Sequence, residues 1–463
     1  MELGEFDHYI DSGTRCHLVG VGGVSMSPLA EIFHGMGLDV TGSDISDSQA
    51  VKKLRSMGIN ITVGHFAENV CGAGFVVRTA AAREDNVEII AARNRGIPVF
   101  ERAQAWGYIM RGYKNAICVS GVHGKTTTTS MITHILLAGE TDPTIMIGGT
   151  LPILGSGYRV GKGDVIALES CEYYNSFHHF CPTVAVVLNV DADHLDFFKD
   201  IDDLKSSFQK FASLVPEGGY IVCNGDDENT IEALAPLGRE LLTFGLGENA
   251  KVRGVNVCSG GRSPSFDIMY DGEPFGKITL QVPGVHNIKN ALAATASAIA
   301  LGLPAKVIEE GLYNHTGAGR RLEYKGIYNG AHVYDDYAHH PTELHATLDA
   351  VSTLGYKRII LAFQPHTFSR TKALFSDFVT ELSRPDVTFL AEIYAARERN
   401  DLTISSGVLA EAVPGARCLS DFREIADEIA AIAREGDIVL TVGAGDIYRV
   451  GEMLVRGLRT ASG

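Results

Sequence analysis

Paired cysteines are missing from this chain. Its eight cysteines stand at 16, 71, 118, 171, 181, 223, 258 and 418, with no C-x-x-C pair and no zinc-frame spacing. A disulfide-stapled or zinc-built fold is therefore excluded. Scattered thiols fit a reducing compartment, and Cys118 and Cys223, in apolar runs, read as small core residues. Basic residues are in deficit: 40 Lys and Arg stand against 56 Asp and Glu, for a net charge of −16. Such a chain is not built for nucleic acid or an anionic membrane. A phosphate ligand stays open, because backbone amides and a few local cations suffice to hold one. Long hydrophobic runs are absent. The longest, Ala291–Leu303, is too short and too Ala-rich to span a bilayer and reads as a core helix, so no membrane insertion is expected. The first residues carry no basic segment followed by an apolar one, so no export signal is expected and the expected location is cytoplasmic. Low-complexity segments are lacking too.

What is present is an alternation of strand-like and helical patterns over 463 residues, the mark of α/β architecture with mostly parallel sheets. Apolar strands run into glycine turns at Cys16–Val21, Ala116–Ser120, Arg358–Phe363 and Asp437–Val442. They head three modules, with joints near Arg111–Lys114 and the Thr316–Arg320 glycine hinge, giving domains 1–112, 113–318 and 319–463. Within the second, Ala250–Val282 alternates apolar and polar residues and reads as a small β-meander.

The strongest chemical signal follows the strand at Ala116. Gly121, Val122, His123 and Gly124 form a turn, and Lys125, Thr126 and Thr127 open a helix. Helix-terminal amides point at phosphates and glycines let the backbone approach them. A lysine there neutralises β/γ oxygens, and the Thr126 hydroxyl suits Mg2+. The loop is Gly-x-x-Gly-Lys-Thr, shorter than the common form, which would place its first glycine at Val119.

Two further strands release polar residues at their C-terminal ends: Glu169 and Glu172 after Val165, and Asn189, Asp193 and His194 after Thr183. Ligand crevices in open α/β sheets lie at those ends, so the group can converge on the phosphate loop. Carboxylates and an imidazole in this group suit Mg2+; helix capping by the aspartates and a turn role for His194 remain the alternative. Later, His286 and Asn290 are four apart on one helix face, a polar stripe suited to an adenine edge.

In the first module, the turn Gly20-x-Gly22-Gly23 follows a strand, with Ser25 beyond it and Asp44 near the end of the next strand. A dinucleotide or a UDP diphosphate would use such a helix terminus. His65 and Thr79 are further sugar or uridine candidates, or ordinary turn residues. In the third module, Asp335-Asp-Tyr-Ala-His-His-Pro341 joins a strand, Ala331–Tyr334, to a helix, Thr342–Leu354. A histidine there can help deprotonate an ammonium, or simply cap the helix. Phe375 and Phe378 read as core.

Together, Gly-x-x-Gly-Lys-Thr-Thr, Asn189-x-x-x-Asp193-His194 and His286-Asn-x-x-Asn290-Ala-Leu-Ala-Ala resemble the Mur ligases over essentially the whole chain. The resemblance implies three domains: an N-terminal Rossmann-like one for a UDP-sugar, a central P-loop ATPase-like one, and a C-terminal Rossmann-like one. It implies an ATP- and Mg2+-dependent ligase joining an amino acid to the carboxylate of a UDP-linked sugar acid through an acyl phosphate. The Gly20–Ser27, Asp335–Glu343, Phe363–Thr371 and Tyr394–Glu398 segments resemble the family branch whose substrates are UDP-N-acetylmuramate and L-alanine, in peptidoglycan precursor synthesis. By similarity, Lys125 and Thr126 hold ATP and Mg2+, Glu172 and His194 ligate the metal, and His286 and Asn290 contact the nucleotide. Arg321 and Asp335 close over ATP, and Tyr337, His339, His366 and Arg370 line the meeting point of acyl group and amino acid. Three departures stand out: Val122 where the family has Thr, Ser25 in place of a third glycine, and Thr367 where some relatives have Arg. A monomer or weak homodimer is expected. A ligase that attaches a tripeptide to the same sugar, a non-catalytic nucleotide-binding regulator and an NAD(P) dehydrogenase stand as rivals.

Overall fold

The computed structural model describes residues 6–10, 13–191, 197–396, 398 and 403–457. Met1–Arg253, Met269–Phe275 and Asn290–Leu312 form one compact unit. Gly254–Ile268, Gly276–Lys289 and Tyr313–Gly463 form a second.

Three sheets are built among the described residues. The first comprises β1 (Arg15–Val19), β2 (Asp39–Asp44), β3 (Asn60–Val63), β4 (Phe75–Arg78) and β5 (Val99–Glu101), in the order β3-β2-β1-β4-β5 and parallel throughout. Strand order reverses between β1 and β4, which opens a crevice at their C-terminal ends. The strand expected at Cys16–Val21 is Arg15–Val19, because Gly20 turns the chain at φ 78°.

The second sheet contains β6 (Asn115–Ser120), β7 (Thr144–Leu151), β8 (Ser156–Arg159), β9 (Val165–Glu169), β10 (Val184–Val187), β11 (Tyr220–Asn224), β12 (Leu241–Gly245), β13 (Val252–Cys258), β14 (Ser265–Tyr270) and β15 (Glu273–Thr279). Their order is β15-β14-β13-β12-β11-β10-β6-β9-β7-β8. Strand β6 lies parallel to both β10 and β9, so the turns that leave all three emerge side by side. The meander expected at Ala250–Val282 corresponds to β13, β14 and β15. β6, β9 and β10 are almost wholly buried, as suits strands covered by helices on both faces. One continuous apolar cluster, including Trp106, Cys118, Phe208 and Cys223, packs beneath these first two sheets. Phe177 and Phe211 stack within it at 4.6 Å.

The third sheet comprises β16 (Glu323–Tyr328), β17 (Ala331–Asp336), β18 (Arg358–Phe363), β19 (Val387–Leu390), β20 (Arg417–Cys418) and β21 (Asp437–Val442), ordered β16-β17-β21-β18-β19-β20. Only the β16–β17 pair is antiparallel among its described pairs. Apolar clusters cover both faces, with Phe378 buried in one and Phe375 half-buried against it. Strand β17 runs two residues past the expected Tyr334, because Asp335 and Asp336 find hydrogen-bond partners at its end. The following helix, Pro341–Ser352, starts one residue before the expected Thr342: proline at its first position lacks only an amide that would have had no helical partner. No helix among the described residues is long and apolar enough to cross a membrane.

Candidate functional site

The phosphate loop is shaped by two glycines that no other residue could replace without strain. Gly121, at φ 136°, passes so close to the strand-end segment that a Cβ would meet Leu188 Cβ at 2.9 Å. Gly124, at φ 84°, packs against Asn290, whose Oδ1 would lie 2.6 Å from an added Cβ. Gly124 also serves as the N-cap of the helix Lys125–Ala138 and has no side chain to cap it. The first-turn amides are thus oriented for an anion. Asn189 clamps the loop at both sides of one peptide position: His123 N donates to its Oδ1 (2.9 Å), and its Nδ2 donates to His123 O (3.1 Å). Thr128 Oγ1 donates to Asn290 Oδ1 at 3.3 Å, tying the loop helix to Asn290.

Lys125 points back along the loop. Its Nζ lies 3.1 and 3.3 Å from the Glu172 carboxylate oxygens and donates to the Val122 carbonyl at 3.2 Å, and also to that of Gly121. Burial alone would pull the Lys125 pKa down; Glu172, by charge and hydrogen bond, together with the nearby Cys171 and Glu169 outweighs it and holds the ammonium form above its usual range. Glu172 is wholly buried and Thr126 is buried at the helix start. A carboxylate and a hydroxyl are hard oxygen donors and fit Mg2+. His194, the other expected metal ligand, lies outside the described residues, as does Asp193. Glu169 is committed to Gly148 N at 2.7 Å.

In the first sheet, the candidate substrate residues gather at the strand ends. Gly22 N donates to Asp44 Oδ2 at 2.9 Å, so Asp44 braces the glycine turn itself. Gly20 packs on the Thr79 side chain, and Gly23 N closes the turn on Gly20 O at 3.1 Å. Ser25 accepts from Arg102 Nη1 at 2.9 Å, and its carbonyl accepts from Trp106 Nε1 at 3.0 Å. His65 stands apart from that turn: its Nδ1 is 2.7 Å from Glu88 Oε2 and 3.2 Å from Ser43 Oγ. Burial raises the Glu88 pKa, but hydrogen bonds from His17, Asn69 and Ser43 outweigh burial and bring it down to about 2.

The second unit carries the remaining candidates. His286 folds over Gly284, and burial together with the nearby Arg321 charge lowers its pKa to about 4. Asn290 belongs to the first unit, against Thr128. Asp335 is paired with Arg320: Arg320 Nε donates to it at 2.9 Å, and Thr441 Oγ1 at 2.8 Å. Burial raises the Asp335 pKa against the pull of Arg320, and burial lifts Asp336 to about 6. Arg321 lies 3.7 Å from Glu343 and over the Tyr337 ring. From Tyr337 a line of rings runs through His339 (5.6 Å) and His366 (5.4 Å) to Tyr394 (5.6 Å, stacked). Arg370 Nη1 sits 3.1 Å from His366 Nδ1, so Tyr337, His339, His366 and Arg370 do come together.

Three family models match the chain: the Mur ligase family catalytic domain over residues 15–114, the Mur ligase middle domain over 119–298, and the Mur ligase glutamate ligase domain over 320–445. The UDP-N-acetylmuramate–L-alanine ligase of Clostridium novyi (strain NT) is 43% identical over 97% of this chain and 99% of its own length. The chain belongs to the Mur ligase family. Another relative of this Mur ligase, the UDP-N-acetylmuramate–L-alanine ligase of Caldanaerobacter subterraneus, is 44% identical over 95% of this chain and 96% of its own. Among solved structures, the UDP-N-acetylmuramate–alanine ligase of Thermotoga maritima is 27% identical and superposes with a TM-score of 0.79 over 96% of this chain and 98% of its own. A murein peptide ligase from Psychrobacter arcticus shares the fold, at 22% identity and a TM-score of 0.71 over 97% and 100% of the two chains.

Several residues of this Mur ligase escaped the sequence argument. Arg102, Glu88 and Arg320 each hold a candidate site residue in place. Arg320 had one available signal, its position beside Arg321 at the glycine hinge. Arg102 and Glu88 had none, since their partners are 77 and 23 positions away.

Proposed function

We propose that this chain joins L-alanine to the lactyl carboxylate of UDP-N-acetylmuramate, using ATP, in the synthesis of peptidoglycan precursors. The observation that carries the reading is the phosphate loop, with Lys125 held on Glu172 at a helix start, in a chain 43% identical from end to end to a UDP-N-acetylmuramate–L-alanine ligase.

A carboxylate is a poor acyl donor, because its leaving group would be oxide. Transfer of the γ-phosphoryl group from ATP to the carboxylate oxygen releases ADP and gives an acyl phosphate. The L-alanine amine attacks its carbonyl carbon, the tetrahedral species expels phosphate, and an amide remains. Loop amides from Gly121 to Thr127 and the Lys125 ammonium bind and neutralise the triphosphate. Mg2+, held by Thr126 and Glu172 with His194, would supply further charge neutralisation where phosphate and carboxylate meet. Arg370 steadies the anion at the acyl centre, and His339 accepts the proton that the alanine ammonium must lose. Tyr337 and His366 wall this place and keep water from the acyl phosphate. The first-sheet turn at Gly22, Gly23 and Ser25, with Asp44, Thr79 and His65, receives the UDP-sugar. His286, Asn290, Arg321 and Asp335 receive the nucleotide. In this reading 1–112 binds the sugar nucleotide, 113–318 binds ATP, and 319–463 brings in the amino acid. The enzyme works in the cytoplasm, as a monomer or weak homodimer.

Product analysis tests the proposal. Purified protein given UDP-N-acetylmuramate, ATP, Mg2+ and a mixture of amino acids should form the L-alanyl amide with one ADP per product. Amide formation with a tripeptide and none with L-alanine would place the chain with the ligases that attach a whole peptide. Binding without amino-acid-dependent ADP release would make it a regulator.

A further inference from the structure

The helix that carries Arg370, Phe368–Ala373, is capped from a distance. Its own N-cap, Thr367, makes no capping hydrogen bond, since its backbone sits at φ 68° and ψ 144°. That conformation is foreign to a β-branched residue. The capping comes instead from Glu398, about thirty positions on. Phe368 N donates to Glu398 Oε2 at 2.6 Å, Ser369 N donates to the same oxygen at 3.1 Å, and the Ser369 hydroxyl donates to Oε1.

The two segments are zipped together above this cap. Tyr394 N donates to Pro365 O and Thr367 N donates to Tyr394 O, each at 2.9 Å. His366 and Tyr394 pair as an isolated bridge, with rings stacked 19° from parallel. His366 in turn meets Arg370 at 3.1 Å. Removing the Glu398 carboxylate would leave two helix amides and a hydroxyl without their acceptor. It would also remove a restraint on the strained Thr367. A turn free to relax there swings His366 on one side and Arg370 on the other.

We infer that Glu398 is a positioning residue for the amino-acid half of the reaction: it clasps the start of the 368–373 helix and so holds Thr367 in its strained turn and His366 and Arg370 in register. The inference rests on the proposed roles of His366 and Arg370. Its signature is a loss confined to the step in which the amine attacks, because the described side-chain hydrogen bonds of Glu398 all go to the start of the 368–373 helix.

Full-length Glu398→Ala is the test, with steady-state kinetics in L-alanine and calorimetric titration of ATP and of UDP-N-acetylmuramate. The expected result is a fall of about tenfold or more in kcat/KM for L-alanine, the scale set by small misplacements near reacting atoms. Binding of ATP and of the UDP-sugar should be unchanged. Adding Thr367→Gly to Glu398→Ala should restore most of the loss, because glycine holds a positive φ without the clasp. Ser369→Ala, which removes a single hydroxyl, should lower the same parameter less and serves if Glu398→Ala fails to fold. Unchanged kcat/KM in Glu398→Ala or Ser369→Ala, equal losses for all three substrates, or no recovery in the double variant would overturn the clasp. Arg370→Ala separates the two levels. Normal turnover in that variant removes the reading of the amino-acid site and the clasp with it; impaired turnover beside a normal Glu398→Ala sinks the clasp alone.

Discussion

Lys125 Nζ and the Glu172 carboxylate face each other at 3.1 and 3.3 Å, one at the start of the loop helix and the other wholly buried. If the proposed phosphate role of Lys125 holds, the pair links catalysis to stability, since each group neutralises the other in a place water hardly reaches. Lys125→Ala should therefore do two separable things. It should abolish ADP release, by about a thousandfold or more, because a charge aimed at the phosphates is lost. It should also destabilise the fold by about 3 kcal/mol or more, because Glu172 stays buried without this cation. Adding Glu172→Gln should return much of the stability, read by urea unfolding, and none of the activity. Full recovery of turnover in the double variant would contradict the assigned role of Lys125.

Glu88 predicts a dependence on acid. Its folded pKa of about 2 lies below the ordinary carboxylate value of 4.5, so its stabilisation is complete above about pH 4.5 and fades as pH falls toward 2. The difference corresponds to about 3 kcal/mol. Glu88→Gln should lower stability by roughly that amount at pH 7, and the gap to the parent protein should shrink steadily below pH 4.5. A gap that stays constant from pH 7 to pH 3 would show that folding does not lower the Glu88 pKa.

Legibility from sequence followed distance along the chain. The phosphate loop was readable because strand, glycines, Lys125 and Thr126 are contiguous, and contiguity is what a motif records. Strands β18 and β21 were readable because they are mostly apolar runs bounded by turns. Errors clustered where a distant partner decides the local structure. Strand β17 extends because Asp335 meets Arg320 and Thr441, and neither pairing leaves a trace near Asp335. Asp44 reads as a ligand residue from its place near the end of a strand; that its carboxylate also braces Gly22 N is a contact the sequence does not show. The clasp of Glu398 on Ser369 was invisible for the same reason, even though the segment that contains Glu398 stood out as a family mark.

Gly124 offers a steric prediction. Gly124→Ala places a methyl 2.6 Å from Asn290 Oδ1 and imposes a side chain at φ 84°. The backbone term alone should cost about 1–2 kcal/mol. ATP binding should weaken as the loop shifts. Adding Asn290→Ala removes the collision and leaves the backbone strain, so it should restore part of the stability and not all of it, as measured by thermal unfolding. Complete restoration would mean that φ at Gly124 is not strained for alanine.

Arg320 and Arg321 are neighbours with different jobs, and substitution should separate them. Arg320 donates to the buried Asp335, to Gly443 O at 2.6 Å and to Gly445 O at 3.0 Å, and it packs between the rings of Tyr337 and Tyr448. It thus joins the end of β17 to the glycine turn after β21. Arg321 stands 3.7 Å from Glu343 and, among the described residues, holds no comparable set of carbonyls. Arg320→Ala should destabilise the protein by about 3 kcal/mol or more, since burial already raises the Asp335 pKa and the loss of Arg320 leaves that carboxylate without its cation. The cost should be largest near neutral pH and smaller in acid, where Asp335 takes up a proton. Arg321→Ala should change stability by about 1 kcal/mol or less and instead weaken ATP binding, if its guanidinium meets the nucleotide. Urea unfolding at pH 7 and pH 4.5, paired with ATP titrations, distinguishes the two. A larger stability loss from Arg321→Ala than from Arg320→Ala would reverse the assignment.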